Sequence, residues 1–134
     1  MAVGKGIGNG GMIDREFAED FAREWEKAWN AHDLEEILSH YSENFQMTSP
    51  FIPTAMDEAT GTLKGKDKVG DYWLKALDRY PELRFQTQMV LVGQNSIVLR
   101  YRSFRNELNR EAVEVMIFGD DGEVIESIAH YDEV

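Results

Sequence analysis

Two glycine-containing turns in the second half of the sequence constrain the fold more than any other feature. They are Gly93-Gln94-Asn95-Ser96 and Gly119-Asp120-Asp121-Gly122. They join four strand-like segments in pairs, 83–92 with 96–104 and 111–118 with 124–132. Because glycine supplies the positive φ that tight turns require, this half of the chain is predicted to be an antiparallel meander of four strands.

The first half of the chain has helical periodicity instead. A helix is predicted over 14–30, because Asp14 can cap its start and apolar residues recur at steps of three and four. These residues form one wide apolar stripe: Phe17, Phe21, Trp25, Ala28 and Trp29.

Two further helices are predicted before the meander. Asp33 followed three residues later by Glu36 is a capping-box arrangement, which indicates the start of a short helix over 34–41. A third helix fits 66–79, since its apolar residues share one face and Pro81 lies just past its end.

A short strand is predicted before the third helix, because residues 45–49 alternate apolar and polar side chains before Pro50. Residues 51–64 show no regular period and are predicted to be irregular. Three helices and one strand followed by four strands indicate an α+β fold, with the helices packed on one face of the sheet.

The segment 111–118 is apolar on both of its faces. Val113, Val115 and Ile117 share one face, and Ala112, Glu114, Met116 and Phe118 share the other. One face covers the helices, and a second copy of the sheet is the simplest cover for the other. We therefore expect a homodimer that forms through the sheet, with a strand curled between helices and loops of one chain as the alternative.

The charge balance excludes several classes of partner. The chain has 14 basic and 25 acidic residues, for a net charge of −11. A nucleic-acid-binding protein needs a basic surface, so neither nucleic acid nor an anionic membrane surface is an expected partner. The chain has no cysteine, and no HxH or HExxH spacing that would indicate a metal site. No metal or cofactor is therefore expected.

Residues 1–11 hold five of the eleven glycines in the chain, and they are predicted to be a flexible tail. This segment lacks the apolar stretch of a secretory signal, and no apolar run in the chain is long enough to span a membrane. The cytoplasm is therefore the expected location.

Four segments, taken in their order and spacing, resemble the SnoaL-like branch of the nuclear transport factor two-like superfamily. They are 29–37 (WNAHDLEEI), 41–50 (YSENFQMTSP), 65–69 (GKDKV) and 115–132, which contains VMIF, DGEVI and the final Tyr131-Asp132. The resemblance implies one cone-shaped domain over 12–134, in which a curved, mostly antiparallel sheet wraps around the three N-terminal helices. Relatives of this kind include ketosteroid isomerase, polyketide cyclases and non-catalytic binding domains, so the fold does not imply one function.

Comparison with ketosteroid isomerase assigns possible roles to particular positions. The catalytic base of that enzyme falls at Ser49, whose hydroxyl cannot replace a carboxylate unaided. Its tyrosine donors in helices one and three fall at Trp25 and Trp73, and its second-helix tyrosine at Tyr41. Its late-strand carboxylic acid falls at Glu114, so a carboxyl is retained there.

Glu114 is the main catalytic candidate. It lies on a strand face whose other residues are apolar and predicted to be buried. Desolvation there would raise the pKa of its carboxyl, and the residue could then act as general acid or base. Two other interpretations stay open: the mouth of the cone is wet at this point, or Arg100 or Arg102 pairs with Glu114.

Three further residues are polar candidates for the site. Arg100 is expected to bind an anionic group of the ligand if its strand face lines the cavity, and to be solvated if that face points outward. His130 and Asp132 lie two residues apart in the last strand and are expected to face the cavity. They would serve there as a proton shuttle and as a second late-strand acid.

The remaining candidates are expected to line a ligand cavity. They are Trp25, Tyr41, Met47, Ser49, Phe51, Trp73, Arg100 and Met116. One hypothesis is a pocket for a small apolar molecule, with acid–base chemistry such as isomerisation, dehydration or cyclisation at Glu114. The other is a non-catalytic dimeric binding or interaction domain with a filled cone. A cavity of roughly 300 Å³ or more that reaches Glu114 would favour the first.

Overall fold

The computed structural model describes residues 12–134, and the tail predicted over 1–11 lies outside this range. The chain forms four helices and six strands in this part. In order they are α1 (Arg15–Asn30), α2 (Leu34–Leu38), β1 (Tyr41–Thr48), α3 (Ile52–Met56), β2 (Thr62–Lys64), α4 (Lys66–Arg79), β3 (Arg84–Val92), β4 (Ser96–Arg105), β5 (Leu108–Phe118) and β6 (Val124–Tyr131). No helix among residues 12–134 is long and apolar enough to cross a membrane.

The six strands form one curved, unclosed sheet in the order β2-β1-β6-β5-β4-β3. The predicted meander is confirmed, because β3 to β6 pair in sequence and antiparallel. The strand β1 adds to its edge by pairing parallel with β6. The sheet is therefore mixed, and the predicted α+β cone is confirmed.

Helix α1 packs along the inside of the sheet. The Asp14 side chain caps it by accepting a hydrogen bond from the Phe17 amide at 2.8 Å. At the other end, the Asn30 side chain donates to the Phe85 carbonyl at 2.9 Å and accepts from the Phe85 amide at 2.7 Å. These two bonds fix α1 to β3, so the apolar stripe of the helix is held against the sheet.

The structure corrects two predictions about the first half. The second helix ends at Leu38 rather than at residue 41, because Tyr41 begins strand β1. The segment 51–64 is not irregular: it contains α3 and β2. Strand β2 has only three residues, and it is stabilised by antiparallel pairing with β1, which local periodicity does not show.

The inner and outer faces of the sheet are set by strand alternation. On β4 the buried residues are Ile97, Leu99, Tyr101 and Ser103, and on β5 they are Ala112, Glu114, Met116 and Phe118. Arg100 and Arg102 therefore lie on the outer face, where both pair with Glu111.

Candidate functional site

A buried carboxyl forms the polar centre of the inner face. Glu114 is only 4 % exposed, on the middle of β5. Its Oε1 accepts a hydrogen bond from the Tyr101 hydroxyl at 3.1 Å, and its Oε2 accepts one from the Ser127 hydroxyl at 2.6 Å. The two donors lie on β4 and β6, the neighbours of β5 in the sheet, so strand register alone brings the three side chains together.

Burial raises the pKa of Glu114 above its ordinary value of 4.5, because the carboxylate is removed from water. The hydrogen bonds from Ser127 and Tyr101 favour the charged form and offset part of this effect. Within residues 12–134 no basic side chain forms an ion pair with Glu114, and the two arginines that the sequence left open as its partners pair with Glu111 instead. The carboxyl therefore keeps its proton to a higher pH than an exposed glutamate does.

Glu114 lines a small inner cavity of about 50 Å³. Three tyrosines, Tyr72, Tyr101 and Tyr131, share its wall, and burial raises the pKa of each of them as well. This volume admits only one or two water molecules and lies far below the roughly 300 Å³ expected of a ligand pocket. The inner cavity alone does not hold a ligand.

A larger groove of about 800 Å³ adjoins the inner cavity. The two spaces share four wall residues, Phe51, Tyr72, Ala76 and Arg105. The groove continues along α3 and α4, where its other walls are Thr54, Ala55, Lys75, Asp78, Arg79 and Tyr80. A ligand bound in this groove would meet the inner cavity at these four shared residues.

Of the predicted lining residues, Met47, Phe51 and Trp73 do line the inner cavity. Trp25, Tyr41 and Met116 lie instead in the fully buried core, because other core side chains fill the space around them. The indole of Trp25, for example, stacks on Phe85 with ring centroids 5.2 Å apart.

Ser49 lies behind the cavity wall and does not line it. It is buried, and its Oγ shares a hydrogen bond with the Tyr72 hydroxyl at 3.3 Å. The Phe51 amide donates to the same oxygen at 3.3 Å. The serine therefore supports two wall residues, Tyr72 and Phe51, at the point where the groove meets the cavity.

The structure corrects the cavity placement expected for His130 and Asp132, and for Arg100 it selects the outward-facing alternative. Arg100, His130 and Asp132 all lie outside the cavity and are exposed. At the end of the last strand the inward-facing and outward-facing positions are exchanged relative to the prediction. Tyr131, which lies between His130 and Asp132, is the residue that faces inward. Asp132 follows the end of β6, and its amide donates to the Glu111 carbonyl at 3.0 Å.

Two arginines beside Phe51, at the mouth where the inner cavity meets the groove, were not predicted from the sequence. Arg105 ends the inner face of β4, and Arg110 begins the inner face of β5. Both line the inner cavity and both stack on the ring of Phe51, with the Cζ atoms 4.8 and 5.2 Å from its centroid. The sequence does contain a signal for Arg110, because it is two residues from Ala112 and four from Glu114, and such residues of a strand share one face.

Among residues 12–134, no group of three or more histidine and carboxylate side chains lies close enough to hold a metal ion.

Comparison with known proteins identifies relatives of the same fold. A model of the SnoaL-like domain matches residues 22–127. A SnoaL-like protein of unknown function from Burkholderia thailandensis is 45 % identical over 90 % of this chain and 98 % of its own, with a TM-score of 0.84. Comparison with the curated proteins finds no match.

More distant solved structures are similar in fold alone. A candidate ketosteroid isomerase from Kribbella flavida is 15 % identical over 87 % of this chain and 78 % of its own, with a TM-score of 0.68. AclR, a candidate hydroxylase from Streptomyces galilaeus, is 20 % identical over 89 % of this chain and 91 % of its own, also with a TM-score of 0.68.

Proposed function

The chain belongs to the SnoaL-like domain family, and from this premise we propose that it binds a small, mostly apolar molecule in the groove beside α4. One polar group of that molecule reaches the inner cavity, where Glu114 acts on it as a general acid. The observation that carries this proposal is a buried carboxyl with two hydroxyl donors and no ion pair among the described residues.

The environment of Glu114 favours proton donation over proton abstraction. Burial raises the pKa of the carboxyl, so it keeps its proton to a higher pH than an exposed glutamate, and the tyrosines around it resist ionisation for the same reason. A carbonyl or hydroxyl oxygen of a ligand would therefore receive a hydrogen bond or a proton there. Polarising a carbonyl is one step of an isomerisation or cyclisation, and protonating a hydroxyl is one step of a dehydration.

For this function, a polar group of the ligand must reach Glu114 from the groove. The inner cavity of about 50 Å³ has room for a single oxygen-bearing group, and the body of the ligand stays in the groove. Side-chain rotation of Phe51 or Tyr72, which line both spaces, would widen the passage.

The test is a Glu114→Gln variant assayed with a panel of aromatic and alicyclic ketones and alcohols. Binding is followed by tryptophan fluorescence, since Trp29 and Trp73 line the cavity, and turnover is followed by mass spectrometry. We expect binding to persist and turnover to be lost. Glu107→Gln, at an exposed position, controls for the loss of one charge. Turnover that is unchanged in Glu114→Gln would remove this residue from the mechanism.

A non-catalytic binding or interaction domain is the second candidate function. The small volume beside Glu114 favours it, as does a serine at the position where the isomerase comparison places a carboxylate base. Saturable ligand binding without turnover of any compound in the panel would support this candidate over the first.

We also propose that the protein forms a homodimer through the outer face of the sheet. The residues Val113, Val115 and Ile117 of β5 are only partly buried there. Met89 and Leu91 on β3 are 46 % and 49 % exposed, which extends the exposed apolar surface. A second copy of the same face would cover this surface.

A further inference from the structure

We infer that Arg105 and Arg110 recognise an anionic group on the ligand, so that the groove takes an apolar molecule bearing a carboxylate rather than a neutral one. This inference rests on the proposed function, because it names the class of molecule that occupies the same groove. It assigns the anionic group to the mouth of the inner cavity, where that cavity meets the groove, and the apolar body to the walls of the groove.

The two arginines form one cationic surface around a shared aromatic ring. The Cζ atoms of Arg105 and Arg110 lie 4.8 and 5.2 Å from the centroid of the Phe51 ring. Arg105 also lies 4.5 Å from the centroid of the Tyr80 ring. Stacking on rings holds the guanidinium planes and leaves their N–H edges available to a ligand.

Neither arginine has an acidic partner within residues 12–134. Their one hydrogen bond in this region is from Arg110 Nε to the Glu133 carbonyl at 2.9 Å. Each guanidinium has five N–H donors, so most of the donors of this pair are unused. By contrast, Arg100 and Arg102 on the outer face both pair with Glu111.

This arrangement is unusual for a chain of this charge. With 25 acidic and 14 basic residues, acidic partners are abundant, yet the groove wall carries Lys75, Arg79 and Arg105 against Asp78 alone. The groove is therefore locally positive on a protein with a net charge of −11. A local excess of one charge attracts a ligand group of the opposite sign.

The orientation of the ligand follows from the polarity of the two ends. The inner cavity is lined by Glu114 and tyrosines, with no arginine or lysine beyond the two at its mouth. An anion at that inner end would lie against a carboxyl, whereas at the mouth it would meet two guanidinium groups. Planar guanidinium groups match the geometry of a carboxylate and bind it through paired N–H donors.

The experiment compares 2-naphthoate with 2-naphthamide, which has nearly the same shape and no charge. Dissociation constants for the full chain are measured by isothermal titration calorimetry at low and high salt. We expect naphthoate to bind at least about tenfold more tightly than the amide at low salt, and the difference to shrink as salt screens the charges. In Arg105→Gln/Arg110→Gln the preference should disappear while the affinity for the amide is retained.

The matched control is Arg100→Gln/Arg102→Gln, which removes the same charge from the outer face and should keep the preference. Circular dichroism checks that each variant is folded. Equal binding of the two probes by the wild-type chain would overturn this inference and leave the proposed function standing. A preference that survives in Arg105→Gln/Arg110→Gln would also overturn it. Binding of neither probe at millimolar concentration would overturn both proposals.

Discussion

Replacing Glu114 with glutamine changes how the free energy of unfolding depends on pH. Burial raises the pKa of this carboxyl in the folded protein, while the unfolded chain has the ordinary value of 4.5. Between these two values the unfolded state releases a proton that the folded state keeps. The wild-type protein is therefore destabilised as pH rises through this window, and a glutamine, which does not titrate, is not.

The environment of Glu114 determines how far the free energies of unfolding of Glu114→Gln and wild type differ below and above pH 4.5. Below pH 4.5 the carboxyl is protonated in both states, and a glutamine side chain can still accept from Tyr101 and donate to the Ser127 hydroxyl. The difference between variant and wild type is then within about 1 kcal/mol, the net value of one hydrogen bond. Above pH 4.5 the unfolding constant of the wild type gains roughly a factor of ten for each unit by which the pKa is raised.

The assay is urea denaturation of both proteins at intervals from pH 4.5 to 9. We expect the stability of Glu114→Gln relative to wild type to rise with pH and to level off at the folded-state pKa of Glu114. Titrations of groups that do not interact with Glu114 occur in both proteins and cancel in the difference. Glu107→Gln provides the charge-matched control. A relative stability that is flat, or that falls with rising pH, would refute a desolvated and unpaired Glu114.

Three further predictions follow from the fold. Asp33→Ala removes the cap that accepts from the Glu36 amide and should cost about 1 kcal/mol in urea denaturation; an unchanged midpoint would contradict the capping role. Leu99→Ala empties a fully buried core position and should cost about 2 to 5 kcal/mol, whereas a loss well under 1 kcal/mol in thermal unfolding would mean a looser core. Val115→Glu should convert a dimer into the 15.4 kDa monomer in analytical sedimentation at micromolar concentration, and a wild-type chain that already sediments as a monomer would refute the sheet-face dimer.

Most of the regular structure could be predicted because local signals determine it. The helix α1 follows from its apolar periodicity and from Asp14, whose side chain does cap the helix. The meander follows from the two glycine-containing turns, and the pairing of β3 to β6 agrees with it. In each case the residues that specify the element lie within it or at its ends.

The missed elements depend on contacts between distant residues. Strand β2 forms because Thr62 and Thr48 pair and their hydroxyls lie 2.9 Å apart, and β1 is long because it pairs in parallel with β6. The placement of the polar candidates depends on distant contacts in the same way. Which face of a strand points inward is set by the whole sheet, so the sequence left the face of Arg100 open, and His130 and Asp132, which were expected to face the cavity, lie outside it.

Among the described residues Glu114 is the one acid on the wall of the inner cavity, and Ser49 adds none behind that wall. The serine lies behind Tyr72, to which it is hydrogen-bonded. Burial raises the pKa of Tyr72, and a charge on Glu114 would add to this effect. A carboxylate at position 49 would be a second buried acid, on the far side of Tyr72 from the cavity, and its negative charge would disfavour ionisation of Glu114. With serine at this position, the cavity presents neutral hydrogen-bond donors at its inner end, while Arg105 supplies positive charge at its mouth. On the proposed function, the reacting atom of the ligand is thus an oxygen that accepts a proton from Glu114, and any proton that leaves the ligand is taken up outside the inner cavity.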